Sequence, residues 1–169
     1  KTRLLRFGRF SRRDAQRLGE KAATFDFLGF RHRCGTSRKG RFKVKWSTSS
    51  TAFRSKLRAF KDWLVENRTM PLKELWRMVN AKLRGHYAYF SVSDNWPRLL
   101  SFKMAVLFLL YKWLNRRSQR PSFDRWTWLE YVRRVGIASP TRVVANLNAS
   151  SFRVSASGEP DAGKLHVRF

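Results

Sequence analysis

Side chains able to carry out catalysis are few in this chain and lie far apart in the sequence. The aspartates are scattered, with no adjacent pair and no Asp-x-Asp spacing. Phosphoryl transfer by two metal ions needs several carboxylates that converge on one site, and no local segment supplies them. The sequence also lacks a phosphate-binding loop with its lysine, a His-Glu-x-x-His zinc motif and a Gly-x-Ser-x-Gly nucleophile motif. We therefore expect no catalytic residues.

Cysteine and histidine are too sparse for a metal site. The single cysteine, Cys34, has no partner for an internal disulfide, which excludes a secreted disulfide scaffold. Together with three separated histidines it cannot supply the ligands of a Cys/His zinc site. Cys34 lies close to His32, and we interpret the pair as a thiol at a strand end beside a surface histidine. We expect no metal ligands.

Basic side chains, in contrast, are abundant. The 169 residues include 37 Lys plus Arg but only 11 Asp plus Glu, which gives a formal net charge of +26. A charge this large repels itself, so a polyanionic partner is the natural expectation. Hydrophobic residues make up 43% of the chain, which is enough for a packed core and argues against wholesale disorder.

Many of these cations recur at the spacing of one helical turn beside apolar stripes. Such a surface can follow the phosphates of a nucleic acid while neighbouring aromatic rings stack on bases. The alternative is that Lys and Arg only solvate the outside of a helical bundle, but few acidic residues are interleaved with them. The residues that we expect to bind RNA fall on two helices and one strand: Lys73, Arg77, Asn80 and Arg84; Arg54, Arg58 and Lys61; and Arg41, Lys43 and Lys45.

The strands that position part of this set are predicted near the start of the chain. Aromatic residues bounded by polar turns predict a strand over Thr24–Phe30. Alternating basic and apolar residues predict a returning strand over Arg41–Trp46, after a basic turn over Gly35–Gly40. Arg3–Phe7 is a further strand candidate.

Residues 48 to about 135 have helical periodicity. Ser49, Ser50 and Thr51 offer an N-cap, and the apolar stripe of the helix that follows is Phe53, Leu57, Phe60 and Leu64. Pro71 suits the first turn of a second helix. Its core stripe is Leu72, Leu75, Trp76, Val79, Leu83, Tyr87 and Phe90, and we expect Gly85 and Tyr89 to be packing positions, Gly85 because it allows close helix approach.

Two further helices complete the predicted bundle. The third begins near Asn95 and runs to about Arg117; because it is apolar on most sides between Met104 and Leu114, we expect it to be central and buried. The fourth follows Pro121, with Phe123, Trp126, Leu129 and Val132 as its apolar face.

The predicted fold is therefore α+β and mainly α. A small antiparallel β hairpin region spans residues 1–47, a bundle of three to four helices spans 48–135, and the tail 136–169 forms either a hairpin or a disordered segment. The longest apolar run, Met104–Tyr111, is far shorter than the roughly 20 residues that span a bilayer, so we expect no membrane partner. Because residue 1 is Lys and no signal segment follows, we expect the chain to be a fragment.

Three blocks of sequence resemble one family. Lys1–Gly8 and Thr24–Phe30 resemble the last two conserved blocks of group II intron reverse transcriptases. The stretch from Trp76 to Phe90, with Asn80 and the Leu83-Arg84-Gly85-His86-Tyr87 run, is similar to the signature of the group II intron maturase domain, also called domain X or the thumb. The order and spacing of the three blocks make the resemblance specific.

The resemblance implies a fold and a role for each region. Residues 1–47 would be the end of the palm, with Phe27, Leu28 and Gly29 near the primer-grip turn, and residues 49–134 would be the thumb. In the family the thumb cradles template–primer duplex and binds intron RNA. The polymerase carboxylates lie upstream in such proteins, so this fragment would be no enzyme alone, although its parent would be an RNA-directed DNA polymerase. Mg²⁺ would serve only that complete polymerase and the intron RNA.

The chain departs from the family pattern in two places. The third helix is often rich in Arg in the family, whereas Ala105–Leu110 is apolar here. That leaves fewer phosphate contacts on this helix, or a face covered by another surface. The tail from about Gly136 does not match the usual ending of the family.

The function expected from sequence is that of an RNA-binding maturase and thumb fragment. It would bind group II intron RNA and assist its folding and splicing, in a bacterial cytoplasm or, alternatively, an organelle. A second hypothesis is a part of a reverse transcriptase that grips an RNA–DNA duplex, inactive alone and without a splicing role. A third is a degenerate remnant that needs its missing reverse transcriptase region in order to fold.

Overall fold

The computed structural model describes residues 4–141 of the chain. Within them the fold is α+β and mainly α, as the sequence predicted. In chain order the elements are α1 (Ser11–Arg17), β1 (Thr24–Phe27), β2 (Phe30–Thr36), β3 (Phe42–Thr48), α2 (Ser50–Asn67), α3 (Leu72–Phe90), α4 (Trp96–Leu114) and α5 (Arg125–Val135). The hairpin considered for the tail lies outside the described residues.

The three strands form an antiparallel sheet in the order β1-β2-β3. The prediction of a single strand over Thr24–Phe30 was wrong, because the chain reverses at Leu28 and Gly29. Both have positive φ, 48° and 79°, as a two-residue hairpin turn of type I′ requires. Leucine rarely adopts a positive φ, so Leu28 does not indicate a turn in the sequence. The alternating aromatic residues on either side of it instead predicted one continuous strand.

The segment before the sheet also differs from prediction. Residues 4–7 form no strand, and the chain instead turns into the short helix α1. Phe7 packs edge-on against Phe25 with ring centroids 5.0 Å apart, so an aromatic contact attaches this segment to the sheet in place of a hydrogen-bonded ladder. Helix α1 lacks an apolar stripe in its sequence, which is why periodicity did not reveal it.

The first two bundle helices follow their predicted patterns. Ser49 caps α2 by accepting a hydrogen bond from the Ala52 amide, and Pro71 precedes α3 as its N-cap residue, one position earlier than predicted. Phe60 and Leu64 are buried, and Phe53, Leu57 and Leu72 pack against the core at its margin. The rest of the α3 stripe is buried as predicted: Leu75, Trp76, Val79, Leu83, Tyr87 and Phe90.

Helix α4 buries one face instead of most of its surface. Its buried residues recur at helical spacing: Leu99, Phe102, Val106, Leu110 and Leu114. Met104 and Phe108 lie between them in sequence but are 63% and 65% exposed, so the prediction of a central, buried helix was wrong. Apolar composition shows that a helix can be buried on every side, but the neighbouring elements decide which side is covered.

Helix α5 begins with a capping box, in which Asp124 and Thr127 bind each other's backbone amides. Its predicted apolar face is only partly correct, because Trp126 and Leu129 are exposed. Trp128 is the buried residue, and its ring packs edge-on against Trp76. The helix is therefore turned so that Trp128, and not Trp126, meets α3.

A buried amide joins the sheet to the bundle. The Asn95 side chain is fully buried; its Oδ1 accepts a hydrogen bond from the Thr48 amide at 2.7 Å. Its Nδ2 donates to Thr48 Oγ1 and to the Phe90 carbonyl at 2.7 and 2.9 Å. Asn95 thereby ties the end of β3, the end of α3 and the start of α4 together.

Candidate nucleic-acid interface

The predicted basic row on α3 is exposed at three of its four positions. Lys73, Arg77 and Arg84 are exposed, and within residues 4–141 they have no ion pair and no side-chain hydrogen bond. A row of unpaired cations at this spacing can bind successive phosphates of a nucleic-acid strand. We call Lys73, Arg77 and Arg84 the α3 cation row.

Asn80, the fourth predicted position, has a different role. Its Oδ1 accepts a hydrogen bond from the Ala138 amide at 2.7 Å, and its Nδ2 donates to the Gly136 carbonyl at 3.4 Å. Trp76 Nε1 also donates to Gly136, and the Tyr87 hydroxyl donates to Ala138. Asn80 therefore holds the segment after α5 along α3, in addition to any contact with RNA that its remaining N–H group makes.

The predicted basic row on α2 is exposed throughout. Arg54, Arg58 and Lys61 lie on one flank of the helix beside the core stripe, and none of them has an ion-pair partner in the described part of the chain. Exposed Asp62 follows Arg58 by one helical turn, but no ion pair forms between them, so the three cations are available to bind phosphates.

The three basic residues predicted on β3 differ in their contacts within the protein. Lys43 forms an ion pair with Asp94, its Nζ lying 2.9 Å from Oδ2. Lys45 lies across Gly35, where an added Cβ would stand 2.9 Å from Lys45 Cδ. Arg41 lies in the turn just before β3 and is exposed, and neither Arg41 nor Lys45 has an ion-pair partner within residues 4–141. RNA binding by these three side chains stays a prediction.

The Phe27-Leu28-Gly29 segment forms a turn that is fixed against the bundle. The Tyr89 hydroxyl donates to the Leu28 carbonyl at 3.0 Å, and the Ser49 amide donates to the Gly29 carbonyl at 2.8 Å. The Phe27 and Leu28 side chains nevertheless point into solvent, with 60% and 66% of their surface exposed. The backbone is held while two apolar side chains stay available for contact.

A groove of about 640 Å³ lies beside this turn, between α2 and α3. Its lining combines an apolar floor of Phe60, Leu83, Phe90 and Phe102 with two lysines, Lys56 and Lys82. None of the predicted basic residues lines it. At about 100° per residue, Lys56 falls on the opposite flank of α2 from Arg54 and Arg58, so the groove and the predicted rows face different directions.

His86 lies in the wall of this groove as a neutral side chain. Its ring stacks on Phe102 with centroids 3.8 Å apart and planes 12° apart. Burial, together with the smaller effect of the nearby Lys56 charge, lowers the pKa of His86 to about 4. Its imidazole therefore offers a hydrogen-bond donor and acceptor at neutral pH and adds no charge. Lys82, the second lysine of the groove, makes a cation–π contact, with its Nζ 4.6 Å from the centroid of the Trp63 ring.

Gly85 and Tyr89 were both expected to be packing positions, but they have different roles in the structure. A Cβ added to Gly85 would meet nothing within 4 Å, so close helix approach is not the reason for this glycine; it lines the open groove. Tyr89 is half exposed, stacks on Phe30 and binds the hairpin turn through its hydroxyl. It connects α3 to the sheet.

Sequence reasoning missed the groove residues Lys56, Lys82 and His86. Helical periodicity places Lys82 and His86 on one flank of α3, which is a usable signal. Only the position of the hairpin turn shows that this flank lines a groove, and that position depends on contacts between residues far apart in the sequence.

Within residues 4–141 no group of three or more His, Cys, Asp or Glu side chains is placed to hold a metal ion. No helix there is long and apolar enough to cross a membrane. Comparison with models of known protein families, with curated proteins and with solved structures finds no match to this chain.

Proposed function

We propose that this chain binds structured RNA through the exposed cations of α2 and α3, and that it helps a group II-type intron RNA reach its splicing-competent fold. One observation supports this most: only two ion pairs, Arg31–Asp26 and Lys43–Asp94, form among the described residues of a chain with a net charge of +26. The α2 and α3 cations are thus left for an external polyanion. The resemblance in sequence supplies the kind of RNA.

The mechanism needs no covalent chemistry by the protein. A ligand that binds the compact state of an RNA more tightly than its open states shifts the population toward the compact state. Arginine and lysine side chains reduce the repulsion between phosphates that compaction brings together. Exposed aromatic side chains stack on unpaired bases, which is how many proteins recognise irregular RNA. The RNA itself carries out the splicing reaction.

The alternative function is to grip an RNA–DNA duplex as part of a longer reverse transcriptase. The fixed turn at Leu28 and Gly29 favours it, because a held backbone beside an open groove is suited to positioning a strand end. Under this alternative the chain needs an upstream region that carries the polymerase carboxylates, and primer extension by this chain alone with added Mg²⁺ yields no product. Under either function the host compartment is a bacterial cytoplasm or an organelle.

The two functions are separated by comparing two ligands of equal length at the same salt concentration. One ligand is a folded group II intron RNA and the other is a generic RNA–DNA hybrid. The proposal predicts about tenfold or tighter binding of the intron RNA, a difference of about 1.4 kcal/mol. It also predicts that the chain lowers the Mg²⁺ concentration at which the intron splices. Equal affinities and an unchanged Mg²⁺ requirement would favour the duplex-gripping alternative.

A further inference from the structure

A second cationic surface lies at the far end of the sheet from the hairpin turn. It is a cleft of about 860 Å³ between α1 and the turn that joins β2 to β3. Its floor is formed by Cys34, Gly35 and Thr36 of β2. The cations that line it come from both walls: Arg9, Arg12 and Arg13 from the α1 side, and Lys39 and Arg41 from the turn. No Asp or Glu lines the cleft.

The five cations of this cleft have no counter-charge among the described residues. All five are exposed, and none has an ion pair or a side-chain hydrogen bond among residues 4–141. Like charges brought together without a counter-charge repel one another, and a bound anion relieves that repulsion. The arrangement of these side chains therefore favours an anionic ligand.

Aromatic side chains lie beside these charges. The guanidinium groups of Arg9 and Arg13 lie 5.7 and 5.2 Å from the centroid of the Phe10 ring. Stacked in this way, a guanidinium keeps its N–H donors free for phosphate oxygens. Phe10 and Phe42 line the cleft and are themselves exposed, so they can stack on bases that are not paired.

The cleft is separate from the groove between α2 and α3. β2 begins at the Leu28–Gly29 turn and ends at the cleft, and its seven residues span roughly 20 Å. Because β2 pairs with β3 along its whole length, the two surfaces keep a fixed spacing.

We propose that this cleft is a second RNA site, which binds the phosphate backbone of an unpaired strand and stacks its bases on Phe10 and Phe42. One chain then holds two segments of RNA, a folded one at α2 and α3 and a single-stranded one at the cleft. The inference shares with the proposed function only the premise that the ligand is RNA.

The test measures the affinity of a single-stranded RNA of about eight nucleotides as a function of salt concentration. The cleft variant carries Arg9→Gln, Arg12→Gln and Arg13→Gln. Its control carries Arg120→Gln, Arg133→Gln and Arg134→Gln, which removes the same three charges from exposed positions outside the cleft. Losing three phosphate contacts should reduce the slope of log K against log salt by about 2 in the cleft variant. The control should keep the wild-type slope.

An equal loss in the cleft variant and its control would overturn the proposal, since only overall charge would then matter, and so would no loss in either. If the α1 substitutions prevent folding, Lys39→Gln with Arg41→Gln replaces them, matched to Arg133→Gln with Arg134→Gln. The Arg77→Ala, Arg84→Ala variant should lose less affinity for the short strand than the Lys39→Gln, Arg41→Gln variant, which removes the same number of charges; an equal or larger loss would place the strand on α3 and overturn the proposal. Failure of the proposed function would instead appear as equal affinity for intron RNA and hybrid, which leaves this comparison intact.

Discussion

At the residue scale, Asn95 is the fully buried polar side chain of the junction between sheet and bundle, which Tyr89 also joins through its bond to the hairpin turn. Asn95→Ala would leave the buried Thr48 amide without the acceptor it has in this structure and would remove the donor to the Thr48 hydroxyl, whereas the Phe90 carbonyl would keep its hydrogen bond from the Val92 amide. We expect the free energy of unfolding to fall by about 2–4 kcal/mol, measured by urea denaturation. Asn67→Ala is the control, because the Asn67 side chain makes one hydrogen bond, to the Trp63 carbonyl of its own helix. Similar losses in the two variants would contradict this role for Asn95.

His86 should make the stability of the protein depend on pH. Its pKa is about 4 in the folded chain and ordinarily near 6.5, so the unfolded chain binds the proton more tightly between these values. Stability contributed by neutral His86 is therefore complete above pH 6.5 and lost as the pH falls toward 4. Allowing for partial exposure, we expect a loss of about 1 kcal/mol between pH 7 and pH 5.

The measurement is the thermal unfolding of wild type and His86→Phe at both pH values. Phenylalanine keeps a ring against Phe102 but cannot be protonated. The melting temperature of wild type should fall further between pH 7 and pH 5 than that of the variant. An identical fall in the two proteins would show that His86 does not contribute.

The side-chain partners at these positions could not be predicted from sequence. Asn95 meets Thr48 across 47 residues, and Asn80 meets Ala138 across 58. Helical spacing predicted that Asn80 lies on the same face of α3 as Arg77 and Arg84, and it does. It could not show that the chain after α5 returns to cover that position.

At the scale of elements, α3 offers two substitutions with opposite outcomes. Leu83→Ala should leave a cavity beneath the helix and lower stability by about 2–5 kcal/mol, because Leu83 is fully buried. Gly85→Ala, one half-turn away, should raise stability by about 0.5–1 kcal/mol, since an added Cβ meets nothing and alanine favours the helix. Chemical denaturation of both variants checks this, and a destabilised Gly85→Ala would contradict the open groove.

Most helices could be predicted, because their signals are local. Ser49 caps α2 as expected, and the stripes of α2 and α3 follow the 3.6-residue period. Two elements gave no such signal: α1 carries no apolar stripe, and the hairpin turn uses Leu28 where glycine or asparagine is usual. The outer face of α4 was misjudged because an apolar sequence does not specify what covers it.

At the scale of the whole molecule, the packing predicts that the chain folds without any upstream region. One cluster of buried residues extends through α2, α3, α4 and α5. We therefore expect a single cooperative thermal transition that is the same by circular dichroism and by tryptophan fluorescence. A gradual transition with strong binding of a hydrophobic dye would instead support the degenerate-remnant hypothesis, in which exposed Met104 and Phe108 mark a lost interface.

The central claim is that the α3 cation row binds phosphates, and one measurement tests it most directly. It is the slope of log K against log salt for a structured RNA, compared between wild type, the double variant Arg77→Ala with Arg84→Ala, and the control Arg133→Ala with Arg134→Ala. Each pair removes two exposed charges, so melting temperatures should stay near that of wild type. The account predicts a slope reduced by about 2 and weaker binding in the Arg77 and Arg84 variant, with little change in the control. Unchanged affinity and slope in that variant, or an equal change in both, would contradict it.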